Sequence, residues 1–278
     1  AVQVVAERPE EARRHRDHGR PGRSRDIHRG KVKVKVEGEQ WMNSGSVKLG
    51  AGEGKVVTLK GDWPEAHLWN PDDPFLYNLD VSIHSTPTPK TYTCVDTLRQ
   101  RFGFREFRIK GHRFTLNGIP FMARAGWALT GKTEDEMRSN LRRFKKRGFN
   151  AMRLFVGQSS TAAVVDMADE VGIFSMIGGC TENGGGGWDS RVSDDGCYDK
   201  DFWHNYEAFN EKFVRDYRNH PGVIVWSLGC EFGAIYCGQG TGCEKVTGER
   251  ICAAAEKVMK LDPTRTWCEN GGVEVGCP

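Results

Sequence analysis

The stretch NHPGVIVWSLGCEFG, residues 219–233, decides the fold of this chain. Within it, residues 223–228 are a continuous run of apolar and β-branched residues with one Ser, which is typical of a strand buried on both faces of a parallel sheet. Glu231 lies just past the end of this run, and barrels of alternating strands and helices carry their catalytic groups at the carboxyl ends of the strands. The pattern therefore predicts an acid/base carboxylate at Glu231.

Strand and helix patterns alternate on both sides of this stretch, from residue 121 onward. Four further strands are predicted at FMARAG (121–126), NAMRLFV (150–156), IFSMI (173–177) and RTWCEN (265–270). Helices are predicted at residues 133–148, 161–172, 201–219 and 244–261. Residues 108–278 thus predict a parallel α/β barrel with about five of its eight strands, and we expect the chain to stop within that domain.

Two of these helices carry further signals. The first has a Thr133/Glu136 capping box and Gly148 after its last turn. The third has an aromatic stripe at helical spacing, for which core packing is favoured over a carbohydrate platform. The stripe consists of Phe202, Tyr206, Phe209, Phe213 and Tyr217.

An all-β pattern precedes the barrel, at residues 31–107. KVKVKVEG (31–38) alternates between charged residues and Val, and three more strand patterns follow at short spacing, which predicts a small antiparallel β-sandwich. Residues 1–30 hold eight Arg and five acidic residues. Since RRHRDHGRPGRSRDIHRG (13–30) has almost no apolar content, residues 1–30 are predicted to be a disordered Arg-rich tail.

Charge and composition exclude several classes of protein. The formal charge of +3 arises in the tail, because the remaining residues hold 32 basic and 32 acidic side chains, so no nucleic-acid partner is expected. The mean hydropathy is −0.57, and no apolar run approaches the roughly 18 residues of a membrane span. The first residues lack the pattern of a secretory signal, so a soluble protein is predicted without a known compartment. The nine Cys form no CxxC pair, which argues against a metal site and predicts buried free thiols, with one or two loop disulfides only if the protein is exported.

Residues 219–233 closely resemble the acid/base motif of glycoside hydrolase family 2, the β-galactosidase, β-glucuronidase and β-mannosidase group, whose usual form is HPSV, an apolar strand and WSLGNE. LWNPDDPFLYNL (68–79) and FGFREFRI (102–109) resemble the end of the immunoglobulin-like domain that precedes the barrel there. The resemblance spans about residues 68–265. It implies an immunoglobulin-like β-sandwich followed by an incomplete (β/α)8 TIM barrel.

The same resemblance implies hydrolysis of terminal β-glycosidic bonds by a retaining mechanism, with a carbohydrate substrate and no cofactor. Glu231 would be the acid/base, and Arg153 matches an Arg that helps position the active-site carboxylates. Cys230 stands where the family usually has an Asn that bonds to the sugar 2-hydroxyl, so an unusual contact at C2 is expected. The nucleophile lies on the seventh strand of the family barrel, and since no residue here matches it, it is expected beyond the end of this chain.

Other side chains are candidates for the sugar pocket because they follow predicted strands or lie in the long loop at 178–199, on the predicted catalytic face. An aromatic ring and a carboxylate there could supply a stacking surface and a hydroxyl acceptor. A loop with no ligand role remains equally open. These candidates are Trp127, Glu182, Trp188, Asp189 and Glu269. His220 precedes its strand, opposite Glu231, and a structural role is predicted for it.

Two other functions stay open. GWALTGKT (126–133) formally matches the phosphate-binding pattern GxxxxGK[ST] between a strand and a helix, but the bulky Trp127 and Leu129 oppose a nucleotide site and the capping box explains Thr133. A non-catalytic sugar-binding or degenerate glycosidase-like protein is the nearer alternative, because Cys230 and the unmatched nucleophile both favour it.

Overall fold

A computed structural model describes residues 2–6, 28–37, 39–50, 53–85, 92–127, 131–155, 161–178, 200–230 and 243–270. The chain divides into two compact units, one made of residues 1–66 and 77–102 and the other of residues 67–76 and 103–278. Residues 67–76, within the range predicted as sandwich, thus belong to the second unit. The reason is Trp69, which is fully buried there and donates from Nε1 to the Asp169 carbonyl at 2.9 Å.

The first unit consists of antiparallel strands in two sheets. One sheet has the order β3-β2-β6-β7 with β4 paired to β2, and the other contains β1 and β5. Val32, Val34 and Val36 of β2 are buried between exposed or half-buried charged residues, as the alternating pattern predicts. The strands are β1 (Val2–Ala6), β2 (His28–Val36), β3 (Glu39–Asn43), β4 (Val47–Leu49), β5 (Val57–Gly61), β6 (Tyr77–Ser85) and β7 (Thr93–Phe102).

The structure corrects the predicted tail at both of its ends. Val2–Ala6 forms β1 and pairs with β5, and residues 28–30 begin β2 and pair with β4. The sequence VQVVA is rich in β-branched residues, so it forms a strand although it adjoins a stretch of different composition. Residues 7–27, for which the disorder was predicted on composition, lie outside the described residues.

The second unit combines a small antiparallel sheet with a parallel five-stranded sheet in the order β11-β12-β13-β14-β15, whose strands alternate with helices. The antiparallel strands are β8 (Phe107–Lys110), β9 (Arg113–Leu116) and β10 (Ile119–Phe121). The parallel strands are β11 (Ala125–Trp127), β12 (Ala151–Phe155), β13 (Phe174–Gly178), β14 (Val223–Cys230) and β15 (Thr266–Asn270). The helices are α1 (Glu134–Lys146), α2 (Thr161–Val171), α3 (Lys200–Tyr217) and α4 (Cys243–Leu261).

The stretch at 121–126, predicted as one strand, is divided between the two sheets. Phe121 ends β10 and Ala125 begins β11. Between them the amide of Arg124 donates to Asn150 Oδ1 at 2.7 Å, a side-chain acceptor rather than a neighbouring strand. The chain can therefore change from the antiparallel to the parallel sheet.

Two apolar clusters pack around the parallel sheet. The larger lies between the sheet and its helices and includes Leu141, Met152, Phe213 and Trp226. In the smaller, aromatic residues of the antiparallel sheet pack with residues at the amino ends of the parallel strands. Its buried members are Trp69, Phe107, Leu116, Ala151, Phe174 and Ile224. The antiparallel sheet thus covers the amino ends of the parallel strands.

The aromatic stripe of α3 packs into the core, as predicted. Tyr206 and Phe213 are buried, whereas Phe202, Phe209 and Tyr217 are half-buried, and the buried face also includes Trp203, Asn210 and Val214. No helix in the described part of the chain has the length and hydropathy that a membrane crossing requires.

Candidate active site

The carboxyl end of β14 is the centre of the candidate site. β14 lies between β13 and β15, and its last residue, Cys230, pairs with Asn270, the last residue of β15. Glu231 is the next residue of the sequence after Cys230. Glu231 itself, the side chain of Cys230, and the candidates Glu182, Trp188 and Asp189 lie outside the described residues, and their roles stay predictions.

Trp127 and Arg153 lie side by side on β11 and β12. The Arg153 guanidinium carbon is 5.7 Å from the centroid of the Trp127 ring, within the range of a cation–π contact. Trp127 is 64% exposed, while Arg153 is half-buried. The structure therefore brings together two of the predicted site residues and leaves most of the indole open to solvent.

Glu269 is half-buried on β15, where it pairs with Gly229 of β14. Its neighbour Cys268 reports on the local electrostatics. Burial raises the pKa of the Cys268 thiol, and the negative charge of Glu269 raises it further, against a hydrogen bond with Ser227 and the positive charge of Arg153. The charges of Arg153 and Glu269 thus both act on the pKa of the Cys268 thiol, in opposite directions.

Cys268 and Tyr206 line this part of the molecule but are absent from the residues predicted for the site. Cys268 Sγ lies 3.7 Å from Met176 Sδ across the sheet, and Tyr206 Oη donates to the Leu228 carbonyl on β14. Cys268 and Cys94 are free thiols, whereas Cys252 on α4 is disulfide-bonded. The apolar stripe on α3 identified Tyr206 as a core residue, but no sequence signal specifies what its hydroxyl meets.

The amino ends of the strands hold a buried polar network. His220 Nδ1 lies 2.7 Å from Asp169 Oδ2, and the amide of Gly222 donates to the other oxygen of that carboxylate at 2.9 Å. Arg265 donates to the carbonyls of His220 and Val223. These bonds tie α2 and β15 to the start of β14, which agrees with a structural role for His220.

The region that matches the phosphate-binding pattern forms a helix cap. Thr133 Oγ1 accepts from the Glu136 amide at 3.3 Å, and Glu136 Oε2 accepts from the Lys132 amide at 2.8 Å. A phosphate at this helix start would need the Lys132 amide that Glu136 already binds. Among the described residues no group of three or more His, Cys, Asp and Glu side chains could hold a metal ion.

Comparisons with known proteins agree with this architecture. Residues 105–274 match the family model "Glycosyl hydrolases family 2, TIM barrel domain", and residues 24–105 match "Glycosyl hydrolases family 2". The chain is 28% identical over 238 residues to the β-galactosidase BgaC of Bifidobacterium adolescentis, which covers 80% of this chain and 20% of that protein.

Solved structures of several glycosidases have the same fold. The Bacteroides uniformis β-glucuronidase 2 covalently bound to cyclophellitol-6-carboxylate aziridine matches with a TM-score of 0.69 and 20% identity, over 88% of this chain and 30% of that one. A β-galacturonidase from Eisenbergiella tayi bound to galacturonate matches with a TM-score of 0.70 and 21% identity, over 88% of this chain and 41% of that one. The chain spans about a fifth of the curated relative and less than half of these two structures. Since the two family models together match residues 24–274, the chain belongs to glycosyl hydrolases family 2.

Proposed function

We propose that this chain is part of a retaining β-glycosidase in which Glu231 is the acid/base. The proposal is supported by the end of β14 at Cys230, at the carboxyl edge of the parallel sheet, and by Glu231 being the next residue of the sequence. In such an enzyme the carboxylic acid protonates the glycosidic oxygen as the bond breaks. The resulting carboxylate then removes a proton from the water that releases the sugar.

The neighbouring strands supply groups that suit a sugar. Trp127 offers an exposed indole ring for stacking, and Arg153, whose charge lies beside that ring, would orient a carboxylate of the site. Glu269 lies on the next strand and could accept a hydroxyl proton. The similar proteins act on galactosides, glucuronides and galacturonides by name, so the substrate class proposed here is a β-glycoside with its sugar left open.

A retaining mechanism needs a second carboxylate about 5 to 5.5 Å from the first, to form the covalent glycosyl-enzyme. The family resemblance assigns that nucleophile to a seventh strand, and no residue of this sequence matches it. We therefore propose that a segment outside these 278 residues supplies it. The 278-residue chain by itself is then expected to hydrolyse aryl β-glycosides no faster than background.

The test uses a chain extended through the whole barrel and its Glu231→Gln variant. The variant should lose at least about 100-fold in kcat on a phenyl glycoside, the size of a general acid/base contribution. Azide should restore turnover on an activated dinitrophenyl glycoside, because that leaving group needs no acid and azide needs no base. Glu256→Gln, on the exposed face of α4, is the control and should be neutral.

Cys230 favours a second candidate, a sugar-binding protein without turnover. A thiol is a weak hydrogen-bond partner in place of the family Asn, so the contact that strengthens in the transition state would be lost. Sugar binding without hydrolysis by the extended chain, unchanged by Glu231→Gln, would support this candidate. Hydrolysis that Glu231→Gln abolishes would exclude it.

A further inference from the structure

The strand that leads to Glu231 contains an extra residue shortly before its end. β14 pairs with β15 through Ser227 and Cys268 and then through Gly229 and Glu269, so Leu228 is skipped in the register. This is a β-bulge, which bends its strand and redirects the residues that follow. Bulges occur often beside active sites, where they aim a side chain.

Two hydroxyl groups bond to carbonyls of the bulge. Tyr206 Oη, on α3, donates to the Leu228 carbonyl at 2.6 Å, and Ser227 Oγ donates to the Gly229 carbonyl at 3.2 Å. Leu228 and Gly229 are both buried, and a buried carbonyl without a donor is costly. The Tyr206 hydroxyl therefore stabilises the backbone at Leu228, the residue of β14 that is skipped in the pairing with β15.

The ring of Tyr206 is held firmly enough to direct this bond. Trp203 packs against it edge to face with ring centroids 5.4 Å apart, and Ile251 and Ala254 of α4 belong to the same buried cluster. Asn210 Nδ2 donates to the Tyr206 carbonyl at 2.9 Å. The hydroxyl thus projects from a fixed aromatic ring toward one backbone atom.

We propose that Tyr206 is a positioning residue for the acid/base. Its hydrogen bond holds the bulge at Leu228, which fixes the backbone of Gly229 and Cys230, the two residues that precede Glu231 in the sequence. The inference rests on the proposed role of Glu231, three residues after Leu228. A tyrosine that served only to fill the core would affect stability and leave the end of β14 unchanged.

The experiment compares Tyr206→Phe with Tyr217→Phe in the 278-residue chain. Each variant removes one hydroxyl from α3, but residue 217 lies 11 positions away, about 16 Å along the helix, and its ring packs near His220 at the amino end of β14. NMR records hydrogen exchange of the Gly229 and Cys230 amides. It also follows the titration of the 13C-labelled Glu231 carboxyl, assigned with Glu231→Gln.

In Tyr206→Phe, exchange at Gly229 and Cys230 should rise about tenfold more than at the other β14 amides, as expected for the loss of one hydrogen bond, and the Glu231 titration should move. Tyr217→Phe should do neither. A uniform rise along β14 in both variants, with an unchanged Glu231 titration, would overturn the inference. These readouts need no turnover, so they stay decisive even if the kinetic test of Glu231 fails.

Discussion

Arg265 and Asp262 form an ion pair that is almost fully buried below the parallel sheet. Arg265 Nη1 donates to Asp262 Oδ2 at 2.6 Å, and Trp226 Nε1 donates to the same oxygen at 3.0 Å. Burial alone would raise the pKa of Asp262, but the Arg265 charge and hydrogen bonds from Thr264 and Arg265 outweigh it, so the pKa lies below its ordinary value. This pair joins α4 to β14 and β15, and its loss would leave a buried charge.

The pair predicts an acid-dependent loss of stability. A carboxyl whose folded-state pKa is depressed stabilises the protein above its unfolded pKa of about 4, and the contribution is lost as the pH falls through the folded pKa. Asp262→Asn should lower the free energy of unfolding by about 3 kcal/mol at pH 7 and flatten its dependence on pH below about 4. Urea unfolding at several pH values measures both.

The control for this prediction is Asp216→Asn, which breaks the exposed pair with Lys212 on α3. Exposed pairs contribute little, so this change should cost less than about 0.5 kcal/mol. An acid dependence in Asp262→Asn equal to that of the parent would contradict the assignment to Asp262.

The exposed indole at Trp127 leads to a prediction on sugar binding. Since Trp127 is 64% exposed, Trp127→Ala should leave the unfolding midpoint nearly unchanged and weaken sugar binding about tenfold through the lost stacking surface. Trp127→Phe retains a ring and should recover much of the affinity. Calorimetric titration with the sugar product measures the affinity. Equal affinities for the parent protein, Trp127→Ala and Trp127→Phe would show that Trp127 does not contribute to sugar binding.

Among the elements, α1 and α2 are each followed by a glycine with positive φ, but the two glycines have different surroundings. Gly148 has φ +91° and Gly172 has φ +78°. A Cβ on Gly148 would meet nothing within 4 Å, whereas a Cβ on Gly172 would collide with the Pro71 carbonyl. At position 148, glycine is therefore required only because φ is positive. At position 172 it is required both by the positive φ and by the close approach of the Pro71 carbonyl.

Alanine at each position separates these two requirements. Gly148→Ala should lower the free energy of unfolding by about 1 kcal/mol, the cost of a left-handed residue with a side chain. Gly172→Ala should cost about 3 kcal/mol or more, because residues 71 and 172 must also move apart. Chemical unfolding of both variants gives the comparison. An equal decrease in the free energy of unfolding for the two variants would mean that Pro71 can move away from residue 172 without destabilising the protein.

In the whole molecule, the unit that contains the parallel sheet takes a segment from earlier in the chain. Within residues 67–76, the Trp69 amide donates to the Phe104 carbonyl at 2.7 Å, and Asn117 Nδ2 donates to the Trp69 carbonyl at 3.1 Å. The Trp69 ring meets Phe174 with centroids 5.5 Å apart. A segment distant in sequence thus completes the cluster below the strands.

This arrangement predicts where the chain can be cut. A chain of residues 103–278 lacks Trp69 and should unfold without a cooperative transition, since losing a fully buried Trp costs about 3 to 5 kcal/mol. A chain of residues 67–278 retains the contact and should keep a cooperative transition by circular dichroism. Equal melting of the two chains would show that the segment is dispensable.

Much of the order of strands and helices was predictable because it depends on local patterns. The apolar run at 223–228 and the capping box at Thr133 each specify their element through neighbours a few residues away. The same local reasoning missed β1, since composition averaged over residues 1–30 concealed the short VQVVA strand. The acid/base motif that leads to Glu231 could likewise be recognised from the sequence, because its residues are contiguous.

The sequence by itself determined the family, most of the strands and helices, and the chain position of the acid/base candidate. Only the tertiary structure decided that Trp127 lies against Arg153, that residues 67–76 join the second unit, and that Tyr206 bonds to the bulge at Leu228. The physical reason is that a hydrophobic pattern specifies which face of an element is buried and not which partner covers it. Partners depend on strand register and on contacts between distant segments, which form only when the whole chain packs.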